Sequence, residues 1–133
     1  IIKHELKGSV AMARGQIEEA LKQLEKASLL EEKQDPPSGP TSPIKPSHEL
    51  YGEFLLKAGK YDKAIELFRL ALTRTPNRTA SLLGLARASM KVGDLATASQ
   101  TYEKLQTLLV NADSRVPYLN EVQTFSLNTD AEE

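Results

Sequence analysis

The chain has 133 residues, which is enough for a single domain with one hydrophobic core of modest size. Its 17 Lys and Arg nearly balance its 18 Asp and Glu, and a net charge of −1 provides no field that would attract nucleic acid or an anionic membrane. It has no cysteine, which excludes disulfides, thiolate metal sites and a thiol nucleophile. No apolar run approaches the ~18 residues of a membrane span. We therefore predict neither a nucleic-acid partner nor a membrane partner.

The sequence repeats itself. The motif His-Glu-Leu-x-Gly begins at His4 and again at His48, a lag of 44 residues, and a further lag of 34 carries Gly52 to Ala86. Apolar residues recur at spacings of three and four within each copy, which predicts two helices per copy. A glycine is expected to end the first helix each time. These glycines are Gly15, Gly59 and Gly93. The three copies span about residues 1–34, 45–78 and 79–111.

Small side chains recur at two positions of each copy, where we expect the backbones of neighbouring helices to approach closely. The first set is Gly8, Gly52 and Ala86, and the second is Ala20, Ala64 and Ala98. A large side chain follows four residues after each member of the second set, and it is expected to fill the space between repeats. These large residues are Leu24, Phe68 and Tyr102.

Two segments lie outside the repeats. The ten extra residues of the first lag fall in a proline-rich insertion at about 33–46, which holds five of the seven prolines. Pro37, Pro40, Pro43 and Pro46 follow the three-residue period of a polyproline II helix. The insertion is therefore a stiff spacer, a ligand for an SH3-like domain, or a loop that lies against a groove. Helical spacing predicts a capping helix at about 113–125, and residues 126–133 are expected to form a disordered polar tail.

This pattern resembles the tetratricopeptide repeat, a 34-residue helix–turn–helix unit with a Gly…Ala-x-x-x-Phe…Pro signature. The middle copy matches best, and its signature residues are Gly52, Ala64, Phe68, Ala71 and Pro76. The second and third copies are also similar to repeats of uncharacterised bacterial proteins of this family. The resemblance implies an all-α fold, a right-handed α-α superhelix (solenoid). Three helix hairpins and the capping helix would form one domain over residues 1–125.

No motif predicts catalysis. The sequence lacks a nucleophile elbow, a phosphate-binding loop and a dinucleotide fingerprint, so we predict that the chain is not an enzyme and uses no cofactor. His4-Glu5 and His48-Glu49 each resemble half of a His-Glu-x-x-His zinc motif, but glycine replaces the second histidine. Both pairs would have to meet across neighbouring repeats to hold a metal. The simpler interpretation, which we adopt, is that each histidine replaces the repeat's usual aromatic residue.

In the family that the chain resembles, the first helix of each repeat lines a concave groove that holds an extended peptide or a partner helix. The helical period places three residues of each first helix on that surface. The predicted groove residues are Glu5, Ser9, Met12, Glu49, Glu53, Leu56, Leu83, Arg87 and Met90. This surface is acidic at one end and apolar at the other. We therefore predict a non-catalytic protein–protein interaction module whose partner has basic and apolar residues.

The amino-terminal end of the sequence suggests an alternative function. Ile1, Ile2 and Val10 are apolar, and no capping helix precedes them in the sequence. An uncapped apolar end of a repeat array is expected to be covered by a further repeat or by a second copy of the chain. The alternative is thus a structural spacer or oligomerisation segment of a larger multi-repeat protein. Such a segment would form a homo-oligomer through its N-terminal end.

Overall fold

The computed structural model describes residues 1–35 and 45–125, and this part of the chain contains seven α-helices and no strand. In chain order they are α1 (Ile2–Ala13), α2 (Ile17–Glu32), α3 (Ser47–Lys57), α4 (Tyr61–Arg74), α5 (Thr79–Val92), α6 (Leu95–Leu108) and α7 (Leu119–Thr124). The predicted all-α fold is confirmed. None of these helices combines the length and the apolar character that crossing a membrane requires.

The first six helices form three hairpins that stack side by side. α1 pairs with α2, α3 with α4, and α5 with α6. Each hairpin packs on the next, because α3 contacts both α1 and α2, and α5 contacts both α3 and α4. The helices therefore build a repeat solenoid in which every hairpin touches only its neighbours.

Each hairpin turns at the predicted glycine. Gly93, for example, has φ +78°, in the left-handed region that glycine adopts without a steric cost. The backbone N–H of Asp94 then donates to the carbonyl of Ser89 at 3.0 Å, which closes the end of α5. Asp94 also caps the start of α6, where its carboxylate accepts from the backbone N–H of Thr97. Hydrogen bonding to Thr97, first to its side chain and then to its backbone, lowers the pKa of Asp94. Gly15 and Gly59 adopt the same backbone conformation.

The contact between the second and third hairpins is built around the ring of Phe68, which is fully buried. Gly52 of α3 and Gly84 of α5 both face this ring. A Cβ atom at Gly52 would lie 3.0 Å from Cε1 of Phe68, and a Cβ atom at Gly84 would overlap the ring. Gly8 approaches Leu24 in the same way in the first hairpin. The predicted close approach of backbones is confirmed at Gly8, where a Cβ atom would lie 3.2 Å from the carbonyl oxygen of Ala20; at Gly52 the near neighbour is the ring of Phe68.

The capping helix is shorter than its prediction over 113–125, because α7 covers only Leu119–Thr124. Pro117 has no N–H and disfavours helical backbone at the residue before it, so the helix begins after it. Val122 of α7 is fully buried in the core of the last hairpin, and Phe125 stacks on Tyr102 with 4.0 Å between ring centroids. α7 therefore caps the last hairpin, as expected.

Two predictions concern segments outside the described residues. The first is the polyproline II helix predicted from Pro37, Pro40 and Pro43. The second is the polar tail predicted over residues 126–133. Pro46, at the described end of the insertion, has φ −60° and ψ 139°, an extended conformation of the polyproline type.

We expect Gly84→Ala to lower the free energy of unfolding more than Gly52→Ala does. Overpacking typically costs about 1–3 kcal/mol, which exceeds the gain of about 1 kcal/mol from replacing glycine within a helix. Urea unfolding followed by circular dichroism measures both variants. Adding Phe68→Leu should recover part of the loss in Gly84→Ala, because the smaller side chain makes room for the methyl group. A Gly84→Ala protein more stable than the wild type would contradict the tight contact.

Candidate partner-binding groove

The predicted groove residues lie on α1, α3 and α5, the first helices of the three hairpins, which we call the inner helices. At equivalent positions of the repeat they form three rows. The first row is Glu5, Glu49 and Leu83, the second is Ser9, Glu53 and Arg87, and the third is Met12, Leu56 and Met90.

The first row is occupied by contacts within the protein. Glu49 is fully buried, and its carboxylate accepts from Nε of Arg78 at 2.6 Å and from Nη2 of Arg78 at 3.0 Å. Leu83 is buried in the core of the third hairpin. Glu5 is half-buried and accepts from the hydroxyl of Ser47 at 2.6 Å. Glu49 and Leu83 are therefore too buried to line a groove, and the carboxylate of Glu5 is engaged by α3, so we leave this row out of the proposed groove.

The bond between Glu5 and Ser47 is repeated one hairpin further on. Ser81 stands 34 residues after Ser47, and its hydroxyl donates to the carboxylate of Glu49. Each glutamate of the first row thus accepts from a serine at the start of the next inner helix, a bond strengthened by the charge of its acceptor. The third copy has Leu83 in place of the glutamate. The sequence analysis did not predict this pairing, although Ser47 and Ser81 are separated by the repeat lag of 34 residues, which indicated equivalent positions.

The histidines also serve the packing of the helices. His48 is fully buried at the start of α3, with Nε2 3.0 Å from Oε1 of Glu32 and Nδ1 3.8 Å from Oε2 of Glu31. Nδ1 of His4 lies 2.8 Å from Oε1 of Gln23. This placement agrees with a histidine that replaces a packed aromatic residue. No group of three metal-ligating side chains occurs within residues 1–35 and 45–125.

The second row carries two ion pairs at the surface. Lys45, next to the insertion, lies 2.7 Å from a carboxylate oxygen of Glu53. Arg87 binds Glu121 of α7 through two nitrogens, with Nε 2.9 Å from Oε1. Glu121 stands 34 residues after Arg87, which is the lag between the second and third copies. The remaining member, Ser9, donates its hydroxyl to the backbone carbonyl of Glu5.

Glu121 also accepts from the phenol of Tyr102 at 2.8 Å. Hydrogen bonding to Arg87 lowers the pKa of Glu121, although partial burial opposes this effect. Burial, and then the bond to Glu121, raise the pKa of Tyr102 to about 12. Tyr102, Glu121 and Arg87 therefore form one polar cluster that fastens α7 to the last hairpin.

The third row remains at the surface. Met12 and Leu56 are partly buried and pack against the core of the first two hairpins, while Met90 is 41% exposed. The six predicted residues of the second and third rows are not buried, and we call them the groove surface. They are Ser9, Met12, Glu53, Leu56, Arg87 and Met90.

The architecture defines a class of protein: a helical-repeat solenoid whose inner helices present a mixed apolar and charged surface. Two family models of the tetratricopeptide repeat match the chain, one over residues 5–79 and the other over 55–116. Because the first covers more than half of the chain, the protein belongs to the tetratricopeptide repeat family. No curated protein matches it. Repeats of this family are generally protein–protein interaction modules and typically non-catalytic.

Glu49→Ala should destabilise the protein by about 3 kcal/mol or more, because it leaves the guanidinium of Arg78 without its buried partner. Glu53→Ala is the matched control, since it removes an exposed ion pair that contributes less than about 1 kcal/mol. Chemical denaturation of both variants gives the comparison. Equal, small losses would contradict a structural role for Glu49.

Tyr102 should make stability fall at alkaline pH. Its folded-state pKa of about 12 lies above the usual value of 10.0, so the unfolded phenol ionises first. The contribution is complete below pH 10 and is lost as the pH rises through 12. The slope of unfolding free energy against pH in this window should therefore be shallower in Tyr102→Phe than in the wild type. Identical slopes would show that Tyr102 titrates as an exposed tyrosine does.

Proposed function

We propose that this chain is a non-catalytic interaction module that binds an extended peptide or a partner helix along the groove surface. The observation that carries the proposal is the third row. Met12, Leu56 and Met90 keep apolar side chains partly exposed on three successive inner helices. Methionine side chains adapt their shape to a partner, and apolar anchors on such a row suit a partner whose apolar side chains are regularly spaced.

The charges beside this row favour a basic partner over an acidic one. Arg87 is held in a two-pronged contact with Glu121, which leaves it little capacity to bind a partner's carboxylate. Among the described residues Glu53 forms its ion pair with Lys45, and both side chains are partly exposed to water. Such a pair contributes little, so a Lys or Arg of a partner can replace Lys45. We therefore propose a partner segment with apolar residues and a cation.

The contact between Lys45 and Glu53 also bears on the insertion. Lys45 lies at its carboxyl-terminal end, and Arg74 donates to the backbone carbonyl of Gln34 at 3.1 Å near its other end. One described end of the insertion thus reaches the groove surface. Residues 36–44, which make up most of the insertion, lie outside the described residues, and its three interpretations stay predictions.

Selection from a random peptide library tests the proposal. We expect the wild-type chain to enrich peptides that combine apolar residues with Lys or Arg. Glu53→Lys should weaken binding of these peptides at least tenfold, or about 1.4 kcal/mol, because the new charge repels the peptide cation. Met90→Asp should also weaken peptide binding, because it places a charge in the apolar third row. Isothermal titration calorimetry with an enriched peptide measures both effects.

Glu66→Lys is the control, because it makes the same charge change at an exposed position of α4, outside the inner helices. It should leave the affinity for the selected peptides unchanged. Both charge variants should also keep the wild-type melting temperature. Peptides that bind the Glu53→Lys, Met90→Asp and wild-type chains equally well would place the binding surface elsewhere and overturn the proposal.

The alternative, a structural or oligomerising segment, is favoured by a different observation. An apolar stripe on α1 lies at the amino-terminal end of the stack, apart from the second and third rows.

A further inference from the structure

Three apolar side chains on α1 face solvent at the amino-terminal end of the stack. Ile2, Leu6 and Val10 are 65%, 64% and 41% exposed. Their spacing of four residues places them on one face of the helix. We call these three residues the α1 stripe.

The equivalent positions of the next two inner helices are covered. Leu6 corresponds to Leu50 and Gly84, and Val10 corresponds to Phe54 and Ala88. Leu50 packs against the core, Phe54 and Ala88 are buried within it, and Gly84 meets the ring of Phe68 from the preceding hairpin. The α1 stripe is therefore the face through which one hairpin packs on the previous one. On α1 this face has no covering hairpin in the described part of the chain.

α7 covers part of the other end of the stack. Val122 of α7 stands 34 residues after Ala88 and is fully buried against the last hairpin. The exposed residues of α7 are polar: Asn120, Gln123 and Thr124. A second copy therefore finds no apolar end face at α7 on which to stack its own α1. Contact between two α1 stripes would instead be the arrangement of a symmetric dimer.

The charges around the stripe suit such a dimer. Lys3, Lys7 and Arg14 are exposed on α1 or at its end, and none of them forms a salt bridge to another described residue. Glu19 is exposed at the start of α2, whereas its neighbour Glu18 lies 3.7 Å from Nζ of Lys60 in the second hairpin. The end face thus joins a basic helix to an acidic helix start. In a two-fold dimer, α1 of each copy can lie against α2 of the other. Opposite charges then pair at two symmetry-related places.

A shallow cavity of about 390 Å³ lies between α1 and α2 on this face. Leu6 and Val10 line it on one side, and Gln16 and Glu19 line it on the other. It offers space for an apolar side chain of a second copy. Arg14 also lines this cavity, so the apolar contact and the charge pair coincide.

We propose that a second copy of this chain covers the α1 stripe, in a two-fold dimer where α1 of each copy lies in the α1–α2 cavity of the other. Leu6 and Val10 supply the apolar contact. Arg14 of each copy pairs with Glu19 of the other. The interface uses the same helix face as the contacts between the hairpins of one chain.

Sedimentation velocity over a range of protein concentrations tests the dimer. We expect the wild type to shift from monomer to dimer as concentration rises, and Leu6→Asp to remain a monomer. Leu6 is so exposed that the substitution should leave helix content and melting temperature unchanged. Leu70→Asp makes the same change at a similarly exposed leucine of α4, and this control should still dimerise.

A charge exchange tests the arrangement of the two copies. Arg14→Glu and Glu19→Arg should each weaken dimerisation about tenfold, and the double variant should recover it, because each pair is restored with reversed sign. A double variant as weak as the single variants would overturn the proposed arrangement.

Two further outcomes would overturn the dimer itself. A wild type that stays monomeric at every concentration would assign the α1 stripe to a hairpin preceding α1 in a longer chain. Dimerisation that is lost in Leu70→Asp but kept in Leu6→Asp would place the contact between copies on α4 instead of α1.

Discussion

The ring of Phe68, held between the backbones of α3 and α5, sets the distance between the second and third hairpins. Gly52 and Gly84 both face the ring, so the ring packs where the two inner helices come together. Each hairpin of a solenoid touches only its neighbours, and no distant contact can correct a misplaced one. The spacing of Leu56 and Met90, and with it the proposed groove surface, therefore depends on this one buried side chain.

The polar contacts complement this apolar spacing by fixing the register. Phe68 sets how far apart the hairpins are, whereas the bonds from Ser47 to Glu5 and from Ser81 to Glu49 set how each inner helix is placed along the previous one. A sliding helix would leave a buried carboxylate without its donor, which is costly. The carboxylates of Glu5 and Glu49 on the inner helices thus stabilise the stack of hairpins. Glu53 is the groove glutamate that stays at the surface with only an exposed partner.

The sequence predicted the hairpins, their turns and the close approach of backbones at Gly8, because all of these belong to the pattern that recurs at the lags of the repeat. It did not predict that Glu49 and Leu83 are interior. The helical period shows which residues share a face, but the angle at which the next hairpin packs decides how much of that face is covered. Gly84 was missed because its large neighbour, Phe68, belongs to another repeat. The short length of α7 was readable, since Pro117 lies inside the segment predicted to be helical.

Direct contacts between α2 and α3 hold the first two hairpins together, and these contacts do not depend on the length of the insertion. The backbone N–H of Ser47 donates to Glu31, and His48 contacts Glu32, so the start of α3 is fastened directly to the end of α2. The entropic cost of closing a loop rises by only about 0.6 kcal/mol for each doubling of the loop's length. The segment between these helices is thus the natural place to graft a foreign peptide, such as an epitope or a protease site. The solenoid would then serve as a display scaffold.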